Sequence, residues 1–190
     1  LKELRPEDHK IISSKCVFSG KVVGVFIDEV SLPDGRIARW ERVNHPGAVG
    51  IVPMLDDSHM LLVKQYRHAT RKVLLEIPAG KLDIASESPE DCASRELVEE
   101  VGHSAATLVK LAEFYNSPGY SNEYFHLYLA KNLERASGVH DDDEFLTVEL
   151  VRLENALELI ERSEIVDAKS IIGITLATLY LEGRYTGLDG

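Results

Sequence analysis

Apolar residues along this chain fall into short strand-like runs separated by turn chemistry, and a helical period first takes over at Pro89. Cys16 to Val30 is rich in Val, Phe and Ile. Pro33, Asp34 and Gly35 then supply a turn, and Arg36 to Val43 alternates again, which predicts an antiparallel β-hairpin. Strand-like runs follow at Ala48 to Leu55, at Met60 to Tyr66 behind the turn residues Asp56, Asp57 and Ser58, and at Val73 to Ile77, where Pro78 ends the run. Ser88 as N-cap, Pro89 at the first helical position, Glu90 and Asp91 in the first turn and Gly102 just past the end predict a helix over 89–101. Thr107 to Phe114, Tyr124 to Ala130 and Phe145 to Val151 read as further strands, separated by the loop SPGYSNE and by an acidic loop around Asp141 to Glu144. Helices near 153–163 and 166–182 complete the pattern, the second with a broad apolar face that includes Ile171, Leu176 and Leu179.

Strands, one mid-chain helix, more strands and terminal helices predict an α+β fold, a mixed β-sheet layered between helices as an α/β/α sandwich. The N-terminal hairpin fits that sandwich poorly, because a lone hairpin cannot bury enough surface to be stable. Residues 1–45 are therefore expected to form an N-terminal β subdomain that packs on the core or on a second subunit, and 46–190 to form the main domain.

Composition narrows the partners. The chain has 190 residues, 44% of them hydrophobic and 28% charged, and a formal charge of −11. This composition suits a globular protein and argues against a nucleic-acid backbone or an anionic membrane as partner. No apolar run approaches the ~20 residues of a membrane span, and the stretch LKELRPEDHK is too polar for a secretory leader, so a cytoplasmic protein is expected. Cys16 and Cys92 are far apart and flanked by apolar residues, as expected of core thiols rather than of a disulfide framework.

The helix over 89–101 carries the chemistry. At about 100° per residue, Ala93, Leu97 and Val101 define its buried face, and Glu100 and Glu96, within about 60° of Ala93 on its other flank, lie on or beside the surface that packs inward. Glu99 and Arg95 lie further round. An unpaired carboxylate costs several kcal/mol to bury, and acidic neighbours at i, i+3 and i, i+4 add about 0.2–0.5 kcal/mol of repulsion per pair. A positive charge is needed there. Clustered hard oxygen donors without His or Cys suit Mg²⁺, or Mn²⁺ in its place. On the residues alone, a solvated acidic face with Arg95 paired to Glu99 would also satisfy the pattern.

The segment Gly80 to His103, GKLDIASESPEDCASRELVEEVGH, resembles the Nudix box, which reads G, five residues, E, seven residues, REUXEEXGU, with U apolar. Gly80, Glu87, Arg95, Glu96, Leu97, Glu99, Glu100 and Gly102 take their motif positions. Two departures stand out: six residues separate Gly80 from Glu87, and His103 replaces an apolar residue. The resemblance implies that Glu96 and Glu100 bind divalent ions together with the Ala79 carbonyl, that Glu99 is a further ligand or catalytic candidate, and that Arg95 holds a helix glutamate in place. It implies metal-assisted attack of water on a diphosphate linkage, which reconciles an acidic chain with an anionic substrate.

Features outside the box are similar to the ADP-ribose pyrophosphatase and nucleoside diphosphate sugar hydrolase branch: EIPAGKLD, Pro118 fifteen residues beyond His103, EFLTVELV and DAKSIIGITLA. By this resemblance Trp40 stacks on the adenine, Arg39 and Arg67 approach phosphates or ribose, and Pro118 and Glu123 lie along the substrate. Trp40 and Pro118 have ordinary structural readings as well, in strand packing and in a turn. The acidic loop would close over the substrate with Glu144 as general base and Asp142 as second choice. Relatives of this branch exchange strands in the N-terminal region, so a homodimer is expected. The leading expectation is Mg²⁺-dependent cleavage of ADP-ribose to AMP and ribose 5-phosphate. A broader nucleoside diphosphate sugar hydrolase, acting for example on GDP-mannose, and a non-catalytic ADP-ribose-binding module are the alternatives.

Overall fold

The computed structural model describes residues 5–137 and 145–188. The chain divides into two units, Leu1–Gly47 with Tyr115–Tyr124, and Ala48–Phe114 with Phe125–Gly190. The first unit thus takes in the SPGYSNE loop, which lies far from it in sequence.

In the first unit, β1 (Lys10–Ser19), β2 (Gly24–Ser31) and β3 (Ile37–Asn44) form an antiparallel sheet in that order. The expected hairpin is β2 and β3, closed by a turn in which Gly35 takes φ 85°, a backbone conformation glycine adopts without a side-chain penalty. The run that reads as one strand from Cys16 to Val30 is broken at Gly20, whose N–H donates to the Val23 carbonyl at 2.9 Å and turns β1 back along β2. Asp28, 5% exposed, accepts from Arg42 Nε at 2.8 Å and Ser14 Oγ at 2.5 Å, and the arginine holds its carboxyl below the usual range. All ten residues of β1 are exposed, Cys16 among them. The expectation of two core thiols therefore holds for buried Cys92 and fails for Cys16, which sits exposed on an edge strand.

The second unit is layered as expected. One sheet, mixed, runs in the order β7 (Ala79–Lys81), β4 (Ala48–Pro53), β9 (Tyr124–Arg135), β8 (His103–Tyr115), with β4 parallel to β9 and antiparallel to β7. The other is antiparallel, in the order β10 (Leu146–Arg152), β5 (His59–Arg67), β6 (Lys72–Glu76). The central strands β4, β5 and β9 are largely buried, and their period-2 alternation sends side chains to two cores. Val52, Leu62, Leu127 and Leu129 meet α2 (Leu153–Glu161) and α3 (Ala168–Leu181), which contribute Ala156, Ile174 and Ala177. Val49, Ile51, Leu61 and Val63 meet α1 (Pro89–Val101), which contributes Cys92, Ala93, Leu97 and Val101. A fully buried side chain such as Leu97 contributes about 1.5–3 kcal/mol relative to its exposed state.

The caps of α1 are those its sequence predicts. Ser88 Oγ accepts the Asp91 N–H at 3.1 Å, Pro89 starts the helix, and Gly102 ends it in the left-handed region at φ 67°. The strand β7 is an addition to the sequence reading, which ended at Pro78. Only three residues long, it carries no alternating run of its own and exists by pairing Gly80 with Val49 and Ala79 with Gly50.

Candidate active site

The site is built where α1 packs on β7. Glu100 lies on the buried side of the helix, 3% exposed, and its Oε2 accepts the Ala79 N–H at 3.0 Å. Glu96, one turn earlier, lies directly over Gly80. A Cβ on Gly80 would fall 1.9 Å from the Glu96 carboxylate carbon, so glycine is the residue that admits this carboxylate to the main chain.

Arg95 holds the acids together. Its Nε and NH2 donate to the two oxygens of Glu87 at 2.8 and 3.0 Å, and its NH1 donates to Glu96 Oε1 and Glu99 Oε2, each at 2.7 Å. Hydrogen bonding to Glu87 is the leading reason the guanidinium holds its proton even more tightly than usual, and the same bonds hold the Glu87 carboxyl below its ordinary range. Glu87 is delivered by a turn after β7, in which its N–H meets the Ile84 carbonyl at 3.2 Å and Ser86 takes φ 68°. The extra residue of this loop thus leaves the Glu87 to Arg95 pair intact. Burial pushes the neighbouring Cys92 thiol up to about 12, so it is protonated at neutral pH and is no nucleophile.

This cluster predicts an acid sensitivity. A carboxyl whose folded pKa lies below its unfolded value stabilises the fold above the unfolded value, and that contribution is lost as pH falls through the folded one. Arg95→Met should therefore cost about 2 kcal/mol near pH 7, less than the 3–5 kcal/mol of a fully buried pair because a quarter of the Arg95 side chain is exposed. The difference from wild type should narrow below about pH 4.3, where glutamates take up protons. Denaturant melts of both proteins at pH 7 and pH 3.5 check this, and a pH-independent difference would refute it.

Among the described residues, no three His, Cys, Asp or Glu side chains converge closely enough to hold a cation unaided. The donor set nevertheless fits a hard divalent ion. Carboxylates of Glu96 and Glu100 lie beside the main chain at Gly80 and Ala79, Glu99 is held by Arg95 on the same helix, and magnesium is commonly held by one or two carboxylates completed by substrate phosphates and water.

The remaining residues singled out in the sequence divide between the units. Arg67, at the end of β5, has the anionic partner its apolar strand context requires, and that partner is internal: its Nε and NH2 donate to Glu76 at 3.0 and 2.8 Å. In the first unit, Arg39 and Trp40 lie on β3, both exposed, with the Trp40 ring 6.1 Å from that of His9. The Pro118 loop runs beside the end of the same strand, where Val43 N–H meets the Tyr120 carbonyl at 2.7 Å and His45 N–H meets Asn122 Oδ1 at 2.8 Å. Pro118 is exposed in that turn, and Glu123 stands 4.0 Å from His45 Nδ1. The structure thus gathers Arg39, Trp40, Pro118 and Glu123 in one unit. Asp142 and Glu144 lie outside the described residues. Two residues near the site escaped the sequence reading, buried Glu76 and its second partner Lys169. A signal was present for Glu76, a charged residue between the apolar run Val73–Leu75 and IPAG, but not for Lys169, which lies in the polar stretch DAKS.

Comparison with known proteins agrees with the box. A NUDIX domain profile matches residues 44–171. The chain is 41% identical over 169 residues to an ADP-ribose pyrophosphatase of Bacillus subtilis (strain 168), covering 88% of this chain and 91% of that one. It is 39% identical over 170 residues to a methanol dehydrogenase activator of Bacillus methanolicus, with coverage of 88% and 91%. It is 32% identical over 156 residues to a GDP-mannose pyrophosphatase of Klebsiella pneumoniae (subsp. pneumoniae, strain ATCC 700721 / MGH 78578), with coverage of 76% and 78%. The fold superposes on the crystal structure of an ADP compounds hydrolase with a TM-score of 0.85 at 26% identity, over 97% of this chain and 98% of the other. With its glutamates gathered around Arg95 on the box helix and relatives that match nearly its whole length, the chain belongs to the Nudix family.

Proposed function

We propose that this chain hydrolyses the diphosphate linkage of ADP-ribose, taking up one water and releasing AMP and ribose 5-phosphate. The observation that carries the reading is the packing of α1 on β7, where Glu96 lies over Gly80 and Glu100 bonds the Ala79 N–H. Three carboxylates of this cluster, Glu87, Glu96 and Glu99, share the one guanidinium of Arg95, and like charges so close together favour a further cation beside them. Mg²⁺, with Mn²⁺ as substitute, is held by Glu96, Glu100 and the Ala79 carbonyl, with Glu99 as an added donor. When bound, it offsets the diphosphate charge and lowers the pKa of water. The chain's own part is to hold these carboxylates in register, to bind the nucleotide and to accept a proton from the attacking water. Arg67 binds phosphate, Trp40 and Arg39 bind adenine and ribose, Pro118 shapes the loop, and Glu123 contacts the substrate. Glu144 takes the proton as general base, with Asp142 as its alternative. The Bacillus subtilis relative favours ADP-ribose, and the Klebsiella relative supports a second reading, a broader sugar-nucleotide hydrolase that also accepts GDP-mannose.

Product release from ADP-ribose, GDP-mannose, UDP-glucose, NADH and a nucleoside triphosphate, each with Mg²⁺ and with EDTA, tests the reading. Metal-dependent turnover that prefers ADP-ribose is expected; equal rates across the panel favour the broader hydrolase. No turnover on any substrate would refute both and favour the binding module. In the same assay Glu144→Gln should lower kcat by about 100-fold or more with little change in KM, and the same loss in Asp142→Asn instead would move the base by two residues.

The protein is further proposed to act in the cytoplasm as a homodimer built through residues 1–45, while 46–190 carry the box. A ten-residue β1 exposed throughout, with Ile11, Ile12 and Phe18 each more than half exposed, supports a second copy as its cover. Sedimentation as a monomer at micromolar concentration would exclude it.

A further inference from the structure

The box leaves one charged cluster of the same unit unexplained. Glu76, 1% exposed at the end of β6, accepts both Nε and NH2 of Arg67 and also Nζ of Lys169, from the first turn of α3. Lys169 bonds Asp167 Oδ2 at 2.9 Å as well, and that same oxygen caps α3 by accepting the Ser170 N–H at 3.1 Å. Ser170 Oγ then accepts the Ile77 N–H at 2.8 Å. The stretch 76–80 is thus tied at Glu76 and Ile77 by α3 and at Ala79 and Gly80 by α1.

The charges make this more than a clamp. Burial alone would raise the Glu76 carboxyl, yet Arg67 and Lys169 outweigh burial and keep it ionised. One carboxylate is therefore shared between two cations. Arg67 spends its Nε and NH2 edge on Glu76, and among the described residues its NH1 makes no hydrogen bond. Its side chain is 37% exposed, and the Glu100 charge is close enough to strengthen its hold on its proton. An arginine fixed along one edge, with NH1 left unbonded among the described residues, has its other edge available to an oxyanion.

We propose that Lys169 is a positioning residue for substrate binding. By sharing Glu76 with Arg67 it fixes the guanidinium and leaves part of its positive charge for a phosphate of the diphosphate linkage. This rests on the reading of Arg67 as a phosphate ligand in a diphosphate hydrolase. Without Lys169, Glu76 takes the whole charge of Arg67, so affinity falls while the chemistry at α1 is untouched.

The test uses the full-length chain with Mg²⁺ and ADP-ribose, reading kcat and KM for Lys169→Met, Lys169→Arg, Arg67→Gln and the double variant Arg67→Gln/Lys169→Met. Lys169→Met should raise KM by about tenfold with kcat within about threefold of wild type, and Lys169→Arg should restore most of the loss. If Lys169 acts through Arg67, the double variant is no worse in KM than Arg67→Gln alone. Unchanged KM in Lys169→Met, or effects that multiply in the double variant, would overturn the proposal. Should the Met variant fail to fold, Lys169→Gln is read in its place. Calorimetric binding of ADP-ribose to the same proteins separates the two failures. Wild-type binding without turnover removes the hydrolase reading while still testing Lys169, since the variant must then bind about tenfold more weakly.

Discussion

Gly80→Ala should abolish most turnover and leave the fold standing. A Cβ at this position falls 1.9 Å from both the carboxylate carbon and Oε1 of Glu96, and 2.3 Å from its Cγ, far inside any contact carbon tolerates. What must give is the end of a flexible side chain rather than the strand, so Glu96 swings off β7 and surrenders its bond to Arg95. A partly exposed ion pair of this kind is worth about 1 kcal/mol, and β7 keeps its main-chain pairing to β4. Catalysis is less forgiving. Groups that orient a metal cost about 10–100-fold when displaced, and a direct ligand should cost at least the upper figure. We expect kcat to fall by about 100-fold or more, with a melting temperature only a few degrees lower. Adding Glu96→Asp, which shortens the side chain by one methylene, should recover part of the activity. Wild-type kcat in Gly80→Ala would mean that the position of Glu96 on β7 is immaterial to the reaction.

How far such a site can be read from sequence follows from how local its causes are. The helix α1 was legible to the residue, because its N-cap, its Pro and its terminal Gly are all local signals, and the wheel already set Glu100 on the buried side. The layering was legible in class, since strands, one mid-chain helix, more strands and terminal helices already implied a sheet between helices. The first-unit sheet was only partly so: a turn at Gly20 flanked by Val, Phe and Ile looks like one strand until its partner is known. Strand β7 carried no signal, as three residues have no period and pair only because β4 is there. Nor could spacing reveal that Glu76 and Lys169 meet, since 93 residues of chain separate them and only the packing of α3 brings them together. Arg67 illustrates the same limit. An arginine in an apolar strand announces that it has an anionic partner, but not that Glu76 already holds one edge of it.

Glu100→Gln should be folded and nearly inactive, and the reason is that its two roles separate. As a structural group Glu100 accepts the Ala79 N–H through one oxygen, and the glutamine carbonyl can accept the same bond at nearly the same place. Removing its charge also lessens repulsion with Glu96, its i−4 neighbour, by about 0.2–0.5 kcal/mol. Stability should therefore stay close to wild type, the relieved repulsion being offset by the lost attraction between Glu100 and Arg67. As a donor to a divalent cation, however, the amide offers one neutral oxygen where the carboxylate offers a charge, and its NH₂ group repels the ion. The consequence should be a kcat lower by about 100-fold or more and a marked rise in the Mg²⁺ concentration needed for half-maximal rate. That pairing of readouts distinguishes loss of a metal donor from loss of packing, because a packing defect lowers the melting temperature and leaves the Mg²⁺ dependence alone. A Glu100→Gln protein that turns over ADP-ribose at the wild-type rate with wild-type Mg²⁺ dependence would remove Glu100 from the metal site and, with it, the reason for burying a carboxylate against Ala79.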